Sequence, residues 1–378
     1  MSKKADNTPE LSNISLPNVD NSLEQKGQLT FTLNNTNVSI ANALRRVILA
    51  DIPTVIINTD ENIEFYKNTT KFHNEILKQR LGCIPVHIKD HEAIQNLELH
   101  IDVVNDVESI RYVTTKDFKI YDKNTENYLD DEMVEQIFPA DNITECYILF
   151  TRLRPKISND IPGETIHFKT NFTLGTALES GMYNVASTCA YGNTPDPVKQ
   201  NEIWQDREDE LEQNGLTSTQ INYEKANWYT LEAKRYYKKD SFDFKIETVG
   251  VYTNIELIHS ACDNIIQRLL NIIKLCDSQK LQLVNDKTAM KFAVDVRLDK
   301  EDYTIGKIIE YVLHEQYYKK DKVLSYVGFL KKHPHDDFSI IRMAFLNEEK
   351  FTPTNIIAIV KFSCQNCINI YQNIKEFF

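Results

Sequence analysis

Leu29, Phe31 and Leu33 alternate with polar neighbours and share one face of an expected strand. The next apolar positions, Ile40, Ala43, Leu44, Val47 and Ile48, recur at three- and four-residue spacing, so this strand enters an amphipathic helix. The same order returns 265 positions later, with Val294, Val296 and Leu298 followed by Ile305, Ile308, Ile309, Val312 and Leu313. Ser39-Ile40-Ala41 falls on Thr304-Ile305-Gly306. A second pairing follows each copy. Phe242, Phe244 and Ile246 precede a helix opening at Thr253, and an apolar run from Phe338 to Phe345 precedes a helix opening at Thr354. The pattern predicts an α+β chain of two strand-helix, strand-helix copies, a pseudo-dimer within one polypeptide. The apolar positions expected to join them are Ile255, Ile258, Ile265, Ile266 and Leu269 on one helix, with Ile356, Ile359, Val360, Ile370 and Ile374 on the other.

The first copy is interrupted by a long insertion, in which Leu97 to Val104, Phe118 to Tyr121, Cys146 to Arg152 and Thr165 to Phe172 read as strands of a β-rich insert domain. A different stretch, 195–239, combines a charged helix at Asn201 to Gln213 with a polar loop and an aromatic-basic run, and reads as a peripheral excursion. The expected domains are a disordered tail over 1–24, a first repeat domain over 25–55 and 182–277, the insert over 56–181, a linker over 278–289, and a second repeat domain over 290–378.

A chain of 378 residues buries about 75% of the surface its unfolded form exposes, so neither metal nor disulfides are needed for stability. Seven irregularly spaced cysteines and no apolar N-terminal segment suit a reduced intracellular compartment, and no run approaches a membrane span. The net charge of −12 disfavours broad contact with nucleic acid, since phosphate binding needs clustered Lys and Arg.

Candidate chemistry lies on the outer side of the first helix. At about 100° per residue, Asn42, Arg45 and Arg46 fall opposite the apolar stripe, whereas the second copy places Lys307, Glu310 and Tyr311 there. The two copies thus carry different outer chemistry.

Asn42-Ala43-Leu44-Arg45-Arg46-Val47-Ile48-Leu49, followed by Ile52-Pro53-Thr54, resembles the helix motif of the alpha-type assembly subunits of cellular RNA polymerases. So do His73-Asn74-Glu75 and Gln79-Arg80-Leu81-Gly82-Cys83-Ile84-Pro85, in the same order. Glu247-Thr248-Val249-Gly250 and the helix after it look like that family's returning strand and dimerisation helix. The second copy, with Asp302-Tyr303-Thr304-Ile305-Gly306-Lys307 and the hairpin from Tyr326 to Arg342, is similar to the small eleventh subunit that pairs with the third-largest. The chain therefore resembles both partners fused into one, an intramolecular pseudo-heterodimer of two dimerisation units. Such a fusion suggests a large DNA virus encoding its own polymerase, with host cytoplasm and virion as locations, or the nucleus if the source is cellular.

The resemblance implies a non-catalytic scaffold that brings together the largest and second-largest subunits, alongside smaller platform subunits, with no cofactor, membrane or homo-oligomer. It assigns Asn42, Arg45, Arg46, His73, Glu75 and Arg80 to contact with a large subunit. Arginine suits such a seam, because its planar fork makes paired hydrogen bonds to carboxylates and carbonyls. His73 and Glu75 as a catalytic pair would need a nucleophile or phosphate loop that is missing nearby. Some relatives carry a zinc-binding cysteine cluster in the insertion, which here holds only Cys83 and Cys146. Cys364-Gln365-Asn366-Cys367 lies in an apolar helix and reads as packing, and His333-Pro334-His335-Asp336-Asp337 reads as a polar turn. No Asp-rich triad for catalytic magnesium occurs.

Overall fold

The computed structural model describes residues 16–59, 63–158, 160–284 and 290–378. Strand β1 (Asn18–Gln25) turns at Lys26 and Gly27, both at positive φ, into β2 (Gln28–Asn34), and helix α1 (Val38–Ala50) follows. Then come β3 (Thr54–Ile57), β4 (Glu64–Asn68), α2 (Asn74–Gly82), β5 (Leu97–Val104), β6 (Arg111–Thr114), β7 (Lys119–Asp122), β8 (Asn127–Tyr128), α3 (Asp131–Ile137), β9 (Leu149–Leu153) and β10 (Thr165–Gly175). They are followed by β11 (Ala186–Pro195), α4 (Pro197–Gln213), α5 (Ser218–Thr230), β12 (Tyr237–Thr248) and α6 (Asn254–Asp277). The chain continues through β13 (Gln282–Val284), β14 (Ala293–Asp299), α7 (Tyr303–Leu313), β15 (Leu324–Leu330), β16 (Phe338–Phe345) and α8 (Pro353–Glu376). Two compact units result: one comprises the described residues up to Ile48, Thr188–Glu247 and Ile258–Phe378, the other Leu49–Ser187 and Thr248–Leu257.

The first unit holds two four-stranded sheets of corresponding order, β1-β2-β12-β11 and β13-β14-β16-β15. Their registers correspond as well. Leu33 pairs with Phe242, Phe31 with Phe244 and Leu29 with Ile246, while Leu298 pairs with Ser339, Val296 with Ile341 and Val294 with Met343. Leu29, Phe31 and Leu33 are buried, as are Val294, Val296 and Leu298. Phe31 stacks on Phe244 at 5.0 Å between ring centroids, and Phe378 meets it edge-on at 4.9 Å.

Helices α6 and α8 run antiparallel. Lys375 Nζ lies 2.7 Å from Asp263, and Lys361 pairs with Asp277, so the order along one helix is reversed on the other. Of the joining positions expected on these helices, Ile258, Ile265, Leu269, Ile356, Ile359, Val360, Ile370 and Ile374 are buried, and Ile266 borders on buried. Ile255 differs: it is 36% exposed, and it lies in the first turn of α6, which belongs to the other compact unit.

Residues 18–24, expected in the disordered tail, form β1. The sequence gives little hint of this, because β1 is an edge strand with six of its eight residues exposed, and its order comes from pairing with β2. Residues 1–15 lie outside the described region, as do residues 285–289 of the expected linker; Gln282–Val284 of that linker pair with β14. The polar loop expected after α4 is largely helix α5, opened by a capping box in which Thr217 and Gln220 satisfy each other's backbone. Trp204, Ile221, Trp228 and Ala233 give α4 and α5 their own small core.

In the second unit, β3-β10-β5-β7-β8 forms one sheet with β4 also on β10, and β6 pairs with β9. Leu77, Leu81, Leu99, Ile101, Phe150 and Phe168 are among its fully buried residues. Residues 248–257, expected in the first repeat domain, pack in this unit instead. The Val249 amide donates to the Val185 carbonyl at 3.0 Å, Tyr252 Oη donates to the Pro53 carbonyl at 2.9 Å, and Lys89 pairs with Glu256 at 2.7 Å. No helix among the described residues is long and apolar enough to cross a membrane.

Candidate partner-binding site

Helix α1 is positioned by its cap. Asn37 Oδ1 accepts the Ser39 amide at 2.9 Å, and the equivalent Asp302 Oδ1 accepts the Thr304 amide at 2.8 Å at the start of α7. Ile40, Ala41, Ala43, Leu44, Val47 and Ile48 are buried, which leaves Asn42, Arg45 and Arg46 at the half-buried margin.

The two arginines diverge. Arg45 donates from Nε and Nη2 to Asn42 Oδ1 at 3.1 and 3.0 Å, and among the described residues it makes no ion pair. Its positive charge is therefore oriented but not neutralised. Arg46 is engaged inside the molecule: Nη2 lies 2.8 Å from Asp302 Oδ2 and Nε donates to Thr304 Oγ1 at 3.0 Å. Burial alone would raise the Asp302 carboxyl, but hydrogen bonds from the Thr304 amide and hydroxyl, with the Arg46 and Arg268 charges, hold it below the usual carboxylate value.

Tyr311, which corresponds to Arg46 in the repeat, is half-buried, and its hydroxyl pKa is pushed up to about 12, first by burial and then by the charges of Glu315 and Asp240. The Asp240 carbonyl accepts the Thr36 amide at 3.1 Å, beside the Asn37 cap of α1. Arg46 of α1 reaches the start of α7. Lys307 and Glu310 pair with each other on α7. Tyr371 on α8 adds a buried hydrogen bond to the Ile40 carbonyl of α1 at 3.1 Å.

His73, Glu75 and Arg80 belong to the other compact unit. His73 caps α2, its Nδ1 accepting the Glu75 amide at 3.4 Å, while the Glu75 carboxylate lies 3.7 Å from Lys78. Their side chains make no hydrogen bond to each other, and they form no acid-base pair. Arg80 Nε donates to the Phe150 carbonyl at 2.6 Å and Nη2 to the Leu149 carbonyl at 2.8 Å, so this guanidinium fastens α2 to β9.

Cys364 and Cys367 are fully buried in α8, and burial pushes both thiols up, which suits packing and not thiolate chemistry. At the hairpin turn, His333 Nδ1 accepts the His335 amide at 3.2 Å and Asp336 accepts the His333 amide at 3.1 Å. Among the described residues, no group of three or more His, Cys, Asp or Glu side chains is placed to hold a metal ion.

Sequence reasoning missed Asp302 and Thr304 as partners of Arg46, and the ion pairs of Asp263 and Asp277 with α8. Asp302 carried a usable signal, an N-cap residue type before an apolar helix, but nothing in the pattern linked it to Arg46.

The sequence family described as the RNA polymerase Rpb3/Rpb11 dimerisation domain matches residues 30–269, which includes α1, the insertion and most of α6. The chain is 25% identical over 280 residues to a conjugation stage-specific protein of Tetrahymena thermophila, covering 63% of this chain and 88% of that one. It is 24% identical over 268 residues to the DNA-directed RNA polymerase subunit Rpo3 of Methanosphaera stadtmanae, covering 66% and 95%. A 61-residue stretch is 46% identical to the DNA-directed RNA polymerase II subunit RPB3 of Schizosaccharomyces pombe, 16% of this chain and 20% of that subunit. With well over half of its length matched, the chain belongs to the Rpb3/Rpb11 dimerisation-domain family and is an alpha-type subunit of DNA-directed RNA polymerase.

Proposed function

We propose that this chain is a non-catalytic scaffold that unites both members of the family's heterodimer in one polypeptide and joins the largest and second-largest polymerase subunits. The observation that carries the reading is the repeated sheet order and register, β1-β2-β12-β11 and β13-β14-β16-β15. The contact of Arg46 on α1 with Asp302 and Thr304 at the start of α7 supports it, since it ties the first helices of the two copies directly together. The antiparallel α6 and α8 supply its apolar seam. In this proposal the second unit is an insert domain, smaller platform subunits complete the assembly, and Arg45 with Asn42 faces the second-largest subunit while the second copy lies towards the largest. A viral source, with host cytoplasm and virion as locations, belongs to the same proposal.

The covalent link then does little beyond keeping the two copies at high local concentration. A protease site placed at Ser278–Lys280, between α6 and β13, should give two fragments that stay together on a sizing column at micromolar concentration. Separation of the nicked fragments under native conditions would remove the main support for an internal heterodimer.

A further inference from the structure

In the second unit, two adjoining hollows of about 460 Å³ and 620 Å³ share Arg154 and Glu164 as lining residues. Their walls carry Lys67, Lys71, Arg80, Arg152, Arg154 and Lys156. In a chain of net charge −12, this is a surface of opposite sign. Two carboxylates face the six cations. Glu164 is held by the Arg154 amide and guanidinium, and Asp106 is the other. Arg80 is fixed on backbone carbonyls, but Lys67, Lys71, Arg152 and Lys156 have no acidic partner among the described residues.

The floor of the smaller hollow is apolar, with Phe72, Ile110 and Leu149, and 38% of Phe72 and 52% of Ile110 is exposed.

From this geometry we infer that the groove receives an acidic polypeptide segment bearing an apolar anchor, contributed by a neighbouring protein. The anchor sits on Phe72, Ile110 and Leu149, and its flanking carboxylates meet Lys71 and Arg152 on one side and Lys67 and Lys156 on the other. Nucleic acid fits less well. Arg80 lies over the Phe72 ring at 5.7 Å and Arg152 over the Tyr112 ring at 5.5 Å, so these rings do not offer bare stacking platforms for bases. The inference rests on the scaffold reading only for the source of the segment, another subunit of the same assembly; the binding chemistry stands apart from it.

The test uses the purified full chain and a short fluorescein-labelled peptide, acidic at both ends around a central Leu-Phe pair, read by anisotropy. The acidic peptide should bind, its affinity should fall as salt rises, and a peptide with Lys in place of every acid should not bind. Lys71→Glu with Arg152→Glu, both at exposed positions, should weaken binding at least about tenfold with an unchanged circular dichroism spectrum. If that variant does not fold, Lys67→Glu with Lys156→Glu on the opposite wall should give the same loss. Equal binding by a folded charge-reversed variant, no binding of the acidic peptide, or tighter binding of a single-stranded oligothymidine would each overturn the inference. Because no polymerase subunit is present, failure here is distinguishable from failure of the scaffold reading, which copurification reports.

Discussion

Arg45→Glu is expected to leave the protein folded while capture of the second-largest polymerase subunit falls by about a hundredfold or more. Arg45 is held in place by Asn42 and has no acidic partner among the described residues, so its charge is available to a partner's carboxylate or carbonyl. Reversing one member of a desolvated charge pair costs about 2–5 kcal/mol of binding, chiefly by leaving the other member unpaired. Stability should move by about 0.5 kcal/mol or less, as for other substitutions outside the core. Reversing Arg45 and Arg46 together would confound the experiment. A carboxylate at position 46 would face Asp302, and lost assembly could then reflect a weakened contact between the two copies. Undiminished capture by a variant that circular dichroism shows to be folded would contradict the assignment of Arg45.

The second large effect is expected in the seam. Leu269→Ala should destabilise the first unit by about 2–5 kcal/mol, the range for a buried leucine whose removal leaves a cavity. Leu269 is fully buried on α6, in the stretch between the two ion pairs that align α6 with α8. Ile255→Ala, on the same helix but exposed, should cost about 0.5 kcal/mol or less. Urea unfolding of the two variants side by side measures the difference. Equal midpoints would mean that α6 does not form its seam through Leu269.

The contrast between Leu269 and Ile255 shows what the sequence could convey. Apolar spacing along α6 and α8 marks a stripe, but it does not say where a neighbouring element stops covering that stripe. Ile255 continues the periodicity but is exposed, in the part of α6 that belongs to the other compact unit. Local patterns work best where one face of an element is buried and the other is not, as in α1 and α7, while β16, buried on both faces, shows as a continuous apolar run. β1 was illegible because its order comes from hydrogen bonds to β2 and its side chains are mostly exposed. The composition of α5 carries no apolar stripe and so reads as loop, although Thr217 and Gln220 form a recognisable capping box.

The candidate site was legible in part for a similar reason. Helical arithmetic places Asn42, Arg45 and Arg46 off the apolar face of α1, but it treats the helix as though it had only one neighbour. Asp302, more than 250 positions away in sequence, turns Arg46 inward. Arg80 likewise keeps a fixed position in the motif, yet its hydrogen bonds go to the backbone of β9, a contact that depends on how the insertion folds. His73 acts as the cap of α2, a role that its place in the motif does not announce.

The central claim is that one chain does the work of two family members. It is tested most directly by quantitative mass spectrometry of the complex captured on a tagged copy of this protein from its native source. The account predicts the largest and second-largest polymerase subunits in equal amount with a single copy of this chain, and no separate small subunit carrying the second dimerisation unit. Two copies per complex, a separate eleventh-type subunit at full stoichiometry, or absence of the large subunits would contradict it.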